Sequence, residues 1–416
     1  MTTTVEHSSQ KPEAGQQPGE ASPTPPGLRE RVSSFLMSHV RQSGMVVALA
    51  AIVLLFQVWT GGILLKPLNV TNIVQQNGYI LVLAIGMVIV IISGHIDLSV
   101  GSIAGFIGAM SGVLMVRNDM PWLLAVGLCV GIGALIGAWQ GFWIAYVGIP
   151  SFIVTLGGML VFRGATQYLL EGQSIAPMPH GLEQVSSGFL PEMGTNAVYH
   201  WPTVILGAVI MVAAVVVQIR RRRSQLRYGQ EVSATPLFVA KCAAIVAALA
   251  VFTLLLASYR GVPIVGIILV VLTLIYAFVM RNTVLGRQVY AVGGNSAAAR
   301  LSGIRNQRVT LLVFVNMGIL AAIAGLLFAA RLNSATPQAG INFELEAIAA
   351  AFIGGASSSG GVGTVFGAIV GGLVLGVLNN GMSIMGIGSD VQQVIKGLVL
   401  LAAVGFDVYN KRKGGR

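Results

Sequence analysis

Residues 78–92 read Gly-Tyr-Ile-Leu-Val-Leu-Ala-Ile-Gly-Met-Val-Ile-Val-Ile-Ile, an apolar run with no charge or amide on any face. A half-buried strand alternates every second residue, and a helix lying at a water boundary carries an apolar stripe. This stretch does neither, so its surroundings are apolar all round. Extended back to Val70, the run is long enough to cross a hydrocarbon core of about 30 Å, which takes roughly 20 helical residues. Similar runs recur to Val408 without period-2 alternation. That pattern favours helices, which satisfy their own backbone hydrogen bonds in lipid, over barrel strands.

Composition agrees. The 416 residues are 55% hydrophobic and only 9% charged, with a net charge of +11 and a mean hydropathy of +0.81. A basic excess raises the question of nucleic acid, but soluble folds carry roughly a quarter charged residues, so nucleic acid is excluded as a partner and a lipid bilayer takes its place. The fold class is therefore all-α: a polytopic transmembrane helix bundle of about 12 spans, one of them short or re-entrant. The spans are expected near 44–62, 70–92, 98–116, 121–147, 151–170, 201–219, 237–257, 262–280, 309–331, 343–358, 361–380 and 391–408. Glycines four apart, as at Gly133, Gly137 and Gly141 or Gly363, Gly367 and Gly371, let helices approach closely.

Residues 1–43 hold five prolines among polar residues and no apolar core, which predicts a disordered tail. Of the 25 lysines and arginines, all but Lys66, Arg117, Arg163, Arg260, Arg331 and Lys396 fall in the tail, in 220–241, in 281–308 or in the basic tail 409–416. The positive-inside rule makes these four stretches cytoplasmic, with both termini inside and the chain multi-pass in the cell membrane. The stretch 171–200, with three glutamates and no lysine or arginine, falls outside. Trp59, Trp122 and Trp201 at outer ends, and Trp139 and Trp143 near an inner end, fit the same map.

Chemistry-bearing motifs are sparse. No P-loop pattern and no Gly-Lys dipeptide occurs, so the chain does not hydrolyse ATP itself and is not read as an enzyme. The run from Gly354 to Gly363 lacks the lysine and reads as a helix-packing turn. Cys129 and Cys242 have no ligand spacing around them, and none of the five histidines pairs at i, i+4, so neither a metal nor a cofactor is expected. The charges within or beside spans are Asp97, Arg163, Lys396 and Asp407. Their scarcity points to an energy source outside the chain and an uncharged substrate.

Three groups are candidate functional residues. Asp97, in Gly94-His95-Ile96-Asp97-Leu98-Ser99-Val100-Gly101-Ser102, is either a helix cap or a gate at a broken helix. Asn72, Gln75, Gln76 and Asn77, beside Tyr79, hydrogen-bond hydroxyl groups without demanding a charge, or else sit at the interface; Asn379 and Asn380 are similar candidates. In 281–308, Asn295 or Ser296 can cap a short helix through Arg300 and Leu301 that Gly303 ends in a left-handed turn. This is either a partner-binding helix or a solvated basic loop.

The blocks Gly286-Arg287, Ala291-Val292-Gly293-Gly294-Asn295 and Ala298-Ala299-Arg300-Leu301-Ser302-Gly303-Ile304 closely resemble the cytoplasmic coupling loop of the ribose/xylose/galactoside branch of ABC importer permeases. Matches continue at Ile96-Asp97-Leu98-Ser99-Val100-Gly101-Ser102, from Pro150 to Gly157, at Phe162-Arg163-Gly164, from Ala347 to Gly361 and at Leu378-Asn379-Asn380-Gly381. His95 stands where shorter members read glycine. The extra span pair at 201–257 resembles the xylose and multiple-sugar permeases. The resemblance implies a monosaccharide permease, for D-xylose or a related sugar, that works by alternating access. Its implied partners are a second permease copy, a separate tandem ABC ATPase and an extracytoplasmic sugar-binding protein. It assigns ATPase coupling to Gly286, Arg287 and Asn295 through Ile304. An ion-coupled secondary sugar transporter or a facilitative channel is the rival reading.

Overall fold

The structure is a computed structural model that describes residues 28–192, 199–230, 232 and 234–414. The chain divides into two units at Arg41, and the second, Gln42–Arg416, carries the features below. In chain order the helices are α1 (Leu28–Trp59), α2 (Pro67–Ile92), α3 (Val100–Gly112), α4 (Trp122–Phe142), α5 (Ser151–Leu170), α6 (His180–Ser187), α7 (Trp201–Arg227), α8 (Thr235–Ala257), α9 (Ile264–Asn282), α10 (Val284–Gly294), α11 (Ser296–Leu301), α12 (Asn306–Leu332), α13 (Phe343–Ile353), α14 (Val365–Ile384) and α15 (Ser389–Gly414). α3 and α4 each end in a wider π-helical turn, Val113–Arg117 and Trp143–Val147.

The run that opened the reading is the centre of the molecule. α2 is packed by α12, α14 and α13, and 83% of its most apolar 18-residue window is buried, against 6% for α8. α12 is held close by glycines: Gly133, Gly137 and Gly141 of α4 lie on Gly318, Phe314 and Leu311, where a Cβ would meet backbone atoms. Gly367 and Gly371 of α14 pack in the same way on Gly354 and Ala350, whereas Gly363 belongs to the preceding turn. Cys129 and Cys242 are free thiols among the described residues, as their isolation implies.

Several boundaries differ from expectation. α1 begins at Leu28, inside the tail expected to be disordered, because Leu28, Val32, Phe35, Leu36 and Val40 already repeat with helical spacing; residues 1–27 of that tail lie outside the described residues. Arg220–Arg223 and Arg227 belong to α7 rather than to a loop. That helix is about 40 Å long at 1.5 Å per residue and so outruns its apolar stretch. α15 continues through most of the basic tail, to Gly414. The stretch 171–200 contains α6, and its residues 193–198 lie outside the described set.

The short segment near 343 is resolved by what precedes it. After α12 the chain runs back along α3 through successive turns, with Ala335 beside Gly112, Ala339 beside Gly105 and Gly340 beside Gly101. Gly112 to Gly101 is eleven helical steps, about 16 Å. α13, eleven residues long, then continues antiparallel to α14, with Ala350 against Gly371 and Gly354 against Gly367. The returning segment and the helix together reach about 33 Å, the length of a crossing. Nine other helices are long and apolar enough to cross a membrane among the described residues.

Candidate functional site

Two breaks in the bundle face each other. α2 stops where Gly94 turns left-handed, at φ +85°, and residues 93–99 lead to α3. Buried Asp97 accepts the Ser99 backbone N–H at 2.8 Å and the Ser99 hydroxyl at 2.6 Å. Gln140 of α4 donates its amide to the same hydroxyl at 2.8 Å. Asp97 thus holds Ser99, the residue before α3, and does not cap the helix itself, which begins with no side-chain cap. His95 lies on α12, its ring 5.8 Å from that of Phe314 and its Nε2 3.4 Å from the Thr310 hydroxyl.

The second break is the start of α13. Asn342 adopts a left-handed conformation, φ 67°, and caps nothing with its side chain. Glu344, 5% exposed, lies 3.8 Å from Arg163 of α5 through Oε1. Its Oε2 rests against Gly101, where a Cβ would collide with it. Two residues on in α13, Glu346 accepts a 2.6 Å bond from Lys396 of α15. Glu344 and Glu346 therefore join Asp97, Arg163 and Lys396 among the charges of the bundle, correcting the sparser set read from the sequence. A signal for them was present. Ile96-Asp97-Leu98-Ser99-Val100-Gly101-Ser102-Ile103-Ala104 is echoed by Ile341-Asn342-Phe343-Glu344-Leu345-Glu346-Ala347-Ile348-Ala349, and both segments start a half-helix.

The amide candidates form a separate group between α2 and α14. Asn77 donates to the Ile73 carbonyl at 2.7 Å and lies against Gly376; Asn380, one turn beyond Gly376, is buried. The Oδ1 atoms of Asn379 and Asn380 are buried without a hydrogen-bond partner, as are Ser102 Oγ and Glu344 Oε2. Each such atom costs about 1–3 kcal/mol. Gln75 instead donates to the Ser187 carbonyl of α6 at 3.2 Å. Asn72 and Gln76 are half-buried on α2. Asp97 belongs to the breaks and not to this amide group.

In the candidate coupling segment, Thr283 caps α10 by accepting the Gly286 N–H, and Gly286 sits tight under the carbonyls of Val279 and Met280. Arg287 is exposed, its guanidinium 3.5 Å from the Asn282 carbonyl. Asn295 caps α11 through the Ala298 N–H at 3.0 Å. Gly303, φ +83°, ends it as expected, with the Ile304 N–H bonded back to Ala299 at 3.1 Å. Ala299 is buried and Ile304 packs on the core. Ala298, Arg300, Leu301 and Ser302 point outward, and Leu301 is 89% exposed. α10, missed as an element in the sequence, anchors this end. The Tyr290 hydroxyl donates to the Gly363 carbonyl at 2.7 Å, and Gly293 fits against the Ile92 carbonyl that also receives the Gly361 N–H.

The family described as branched-chain amino acid transport system / permease component matches residues 69–404, taking in both breaks, the amides and α10–α11. The chain belongs to this permease family. The permease is 40% identical over 369 residues to the xylose transport system permease protein of Haemophilus influenzae, covering 89% of this chain and 96% of that one. It is 41% identical over 371 residues to the xylose transport system permease protein of Escherichia coli K12, covering 89% and 92%. To the ribose import permease protein of the same strain it is 32% identical over 345 residues, 83% and 86% of the two chains. No solved structure matches the permease. It is a multi-pass membrane protein of all-helical build with a transport rather than an enzymatic role.

Proposed function

We propose that this chain is the membrane-spanning subunit of an ATP-binding-cassette importer for a pentose, D-xylose first, working by alternating access. The observation that carries the reading is α11. Ala299 seats it while Arg300 and Leu301 face away from the protein, a leucine presented to a partner and not to the core. A separate tandem ATPase is the partner, and its closure is transmitted through α10 and α11 to α2 and to the turn before α14. Similarity over nearly the whole chain to xylose permeases supports the substrate.

Both termini and α10–α11 are cytoplasmic by the distribution of basic residues. The opposite end holds a cavity of about 740 Å³ lined by His180, Glu183, Phe189, His200, Tyr259 and Arg260, which suits docking of an extracytoplasmic sugar-binding protein. A second copy of the chain covers the open face of α5. There Phe152, Leu156, Leu160 and Tyr168 are exposed, and the neighbouring Gln167, Gln338 and Asn342 are polar groups that lipid does not solvate.

Uptake of labelled xylose, ribose and galactose, with and without the gene and its ATPase, tests this. ATP-dependent uptake favouring xylose is expected. The ion pairs of Glu344 with Arg163 and Glu346 with Lys396 are what a gradient-driven carrier would use, so uptake indifferent to the ATPase but abolished by collapsing the proton gradient would establish that reading instead.

A further inference from the structure

Two buried polar atoms stand unpartnered where the broken helices meet: Ser102 Oγ and Glu344 Oε2. Ser102 is 3% exposed and Glu344 5%, so water does not satisfy them from the surface, and folded proteins rarely retain such atoms without use. They belong to two elements that pack on each other, α3 and α13. Glu344 Oε2 rests on Gly101, the residue before Ser102. Phe106, one turn beyond Ser102 on the same side of α3, meets Phe162 of α5 at 5.5 Å between ring centroids. The next residue of α5, Arg163, lies 3.8 Å from Glu344 Oε1. Both half-helices also start here without a side-chain cap, which leaves backbone N–H donors at the junction.

The inventory is one hydroxyl that donates and accepts, one carboxylate oxygen that accepts, one guanidinium and free N–H groups that donate. An anionic ligand would meet Glu344, and a cation would meet Arg163. A neutral molecule with several hydroxyls, each both donor and acceptor, suits the whole set. We propose that Ser102, Glu344 and Arg163 form a binding site for a neutral sugar inside the bundle, at the meeting point of the two broken helices. The proposal deepens the transport reading and rests on it for the choice of sugar.

The test uses the full-length permease in lipid nanodiscs, heated in the presence of millimolar D-xylose, ribose or galactose, with glucuronate as an anionic control. At least one neutral sugar is expected to raise the melting temperature of the unsubstituted protein, and glucuronate to leave it unchanged. Ser102→Ala removes an orphan hydroxyl, so it is expected to fold at least as stably as the original while losing the sugar-induced shift. Glu344→Gln is expected to lose it as well, and if that variant does not fold, Ser102→Ala decides alone. No shift with any neutral sugar, or an undiminished shift in Ser102→Ala, overturns the proposal. Restoration of the full shift by combining Arg163→Glu with Glu344→Arg also overturns it, since the pair would then be only a clasp. Sugar-induced stabilisation without ATP-dependent uptake would count against the importer reading and leave the site standing. Uptake without stabilisation would do the reverse.

Discussion

At the residue scale, the positions that tolerate least are those where backbone touches backbone. Gly293 is the sharpest case, because a Cβ there would run into the Ile92 carbonyl and approach the Gly361 nitrogen at 3.0 Å. Neither neighbour is a flexible side chain that can swing away. Gly293→Ala is therefore expected to lower stability by about 1–3 kcal/mol and to depress sugar uptake, checked by thermal unfolding and transport on the same preparation. Gly294, one residue on, has open space around its Cβ position, and Gly294→Ala is the matched control, expected to be nearly neutral. The sequence showed Gly293-Gly294 only as part of a resemblance. Which of the two is constrained depends on Ile92 and Gly361, residues distant in sequence that only the fold brings near.

At the scale of elements, the apolar runs were legible because lipid and bundle impose the same demand on a helix. α5 falls at 151–170 as read, and α2, α4 and α8 end within a few residues of expectation. The broken crossing was less visible. Ala335-Thr336-Pro337-Gln338-Ala339-Gly340-Ile341-Asn342 has the composition of a surface loop, and hydropathy does not report that Gly101, Gly105 and Gly112 leave a furrow along α3 for it to lie in. The α11 helix was legible through its capping residue and terminating glycine, both local signals. Its exposed face yields a prediction at this scale. Leu301→Asp changes a side chain that contributes little to the fold, and surface changes of this kind stay within about 0.5 kcal/mol. The variant is expected to insert and purify normally but to release the ATPase on co-purification, with uptake falling in parallel. Retention of the ATPase would remove α11 from the coupling role.

At the scale of the whole molecule, the orientation proposed from the charge distribution is open to a direct check. With Cys129 and Cys242 replaced by alanine, Gln184→Cys on α6 is expected to react with a membrane-impermeant thiol reagent in intact cells, and Leu301→Cys only after permeabilisation. The reverse pattern would invert the molecule. The extra hairpin α7–α8 packs mainly on itself, with few contacts to the rest, so apolar exchanges such as Val209→Leu on its outer face are expected to leave uptake unchanged. The turn between α13 and α14 has the wider reach. Through the Gly361 N–H it holds the end of α2, and through the Gly363 carbonyl it holds Tyr290 of α10. The end of α2, the departure of α14 and α10 thus meet at one turn. A displacement of this turn would load the end of α2, the start of α14 and α10 together, so under the proposed coupling none of the three would move alone.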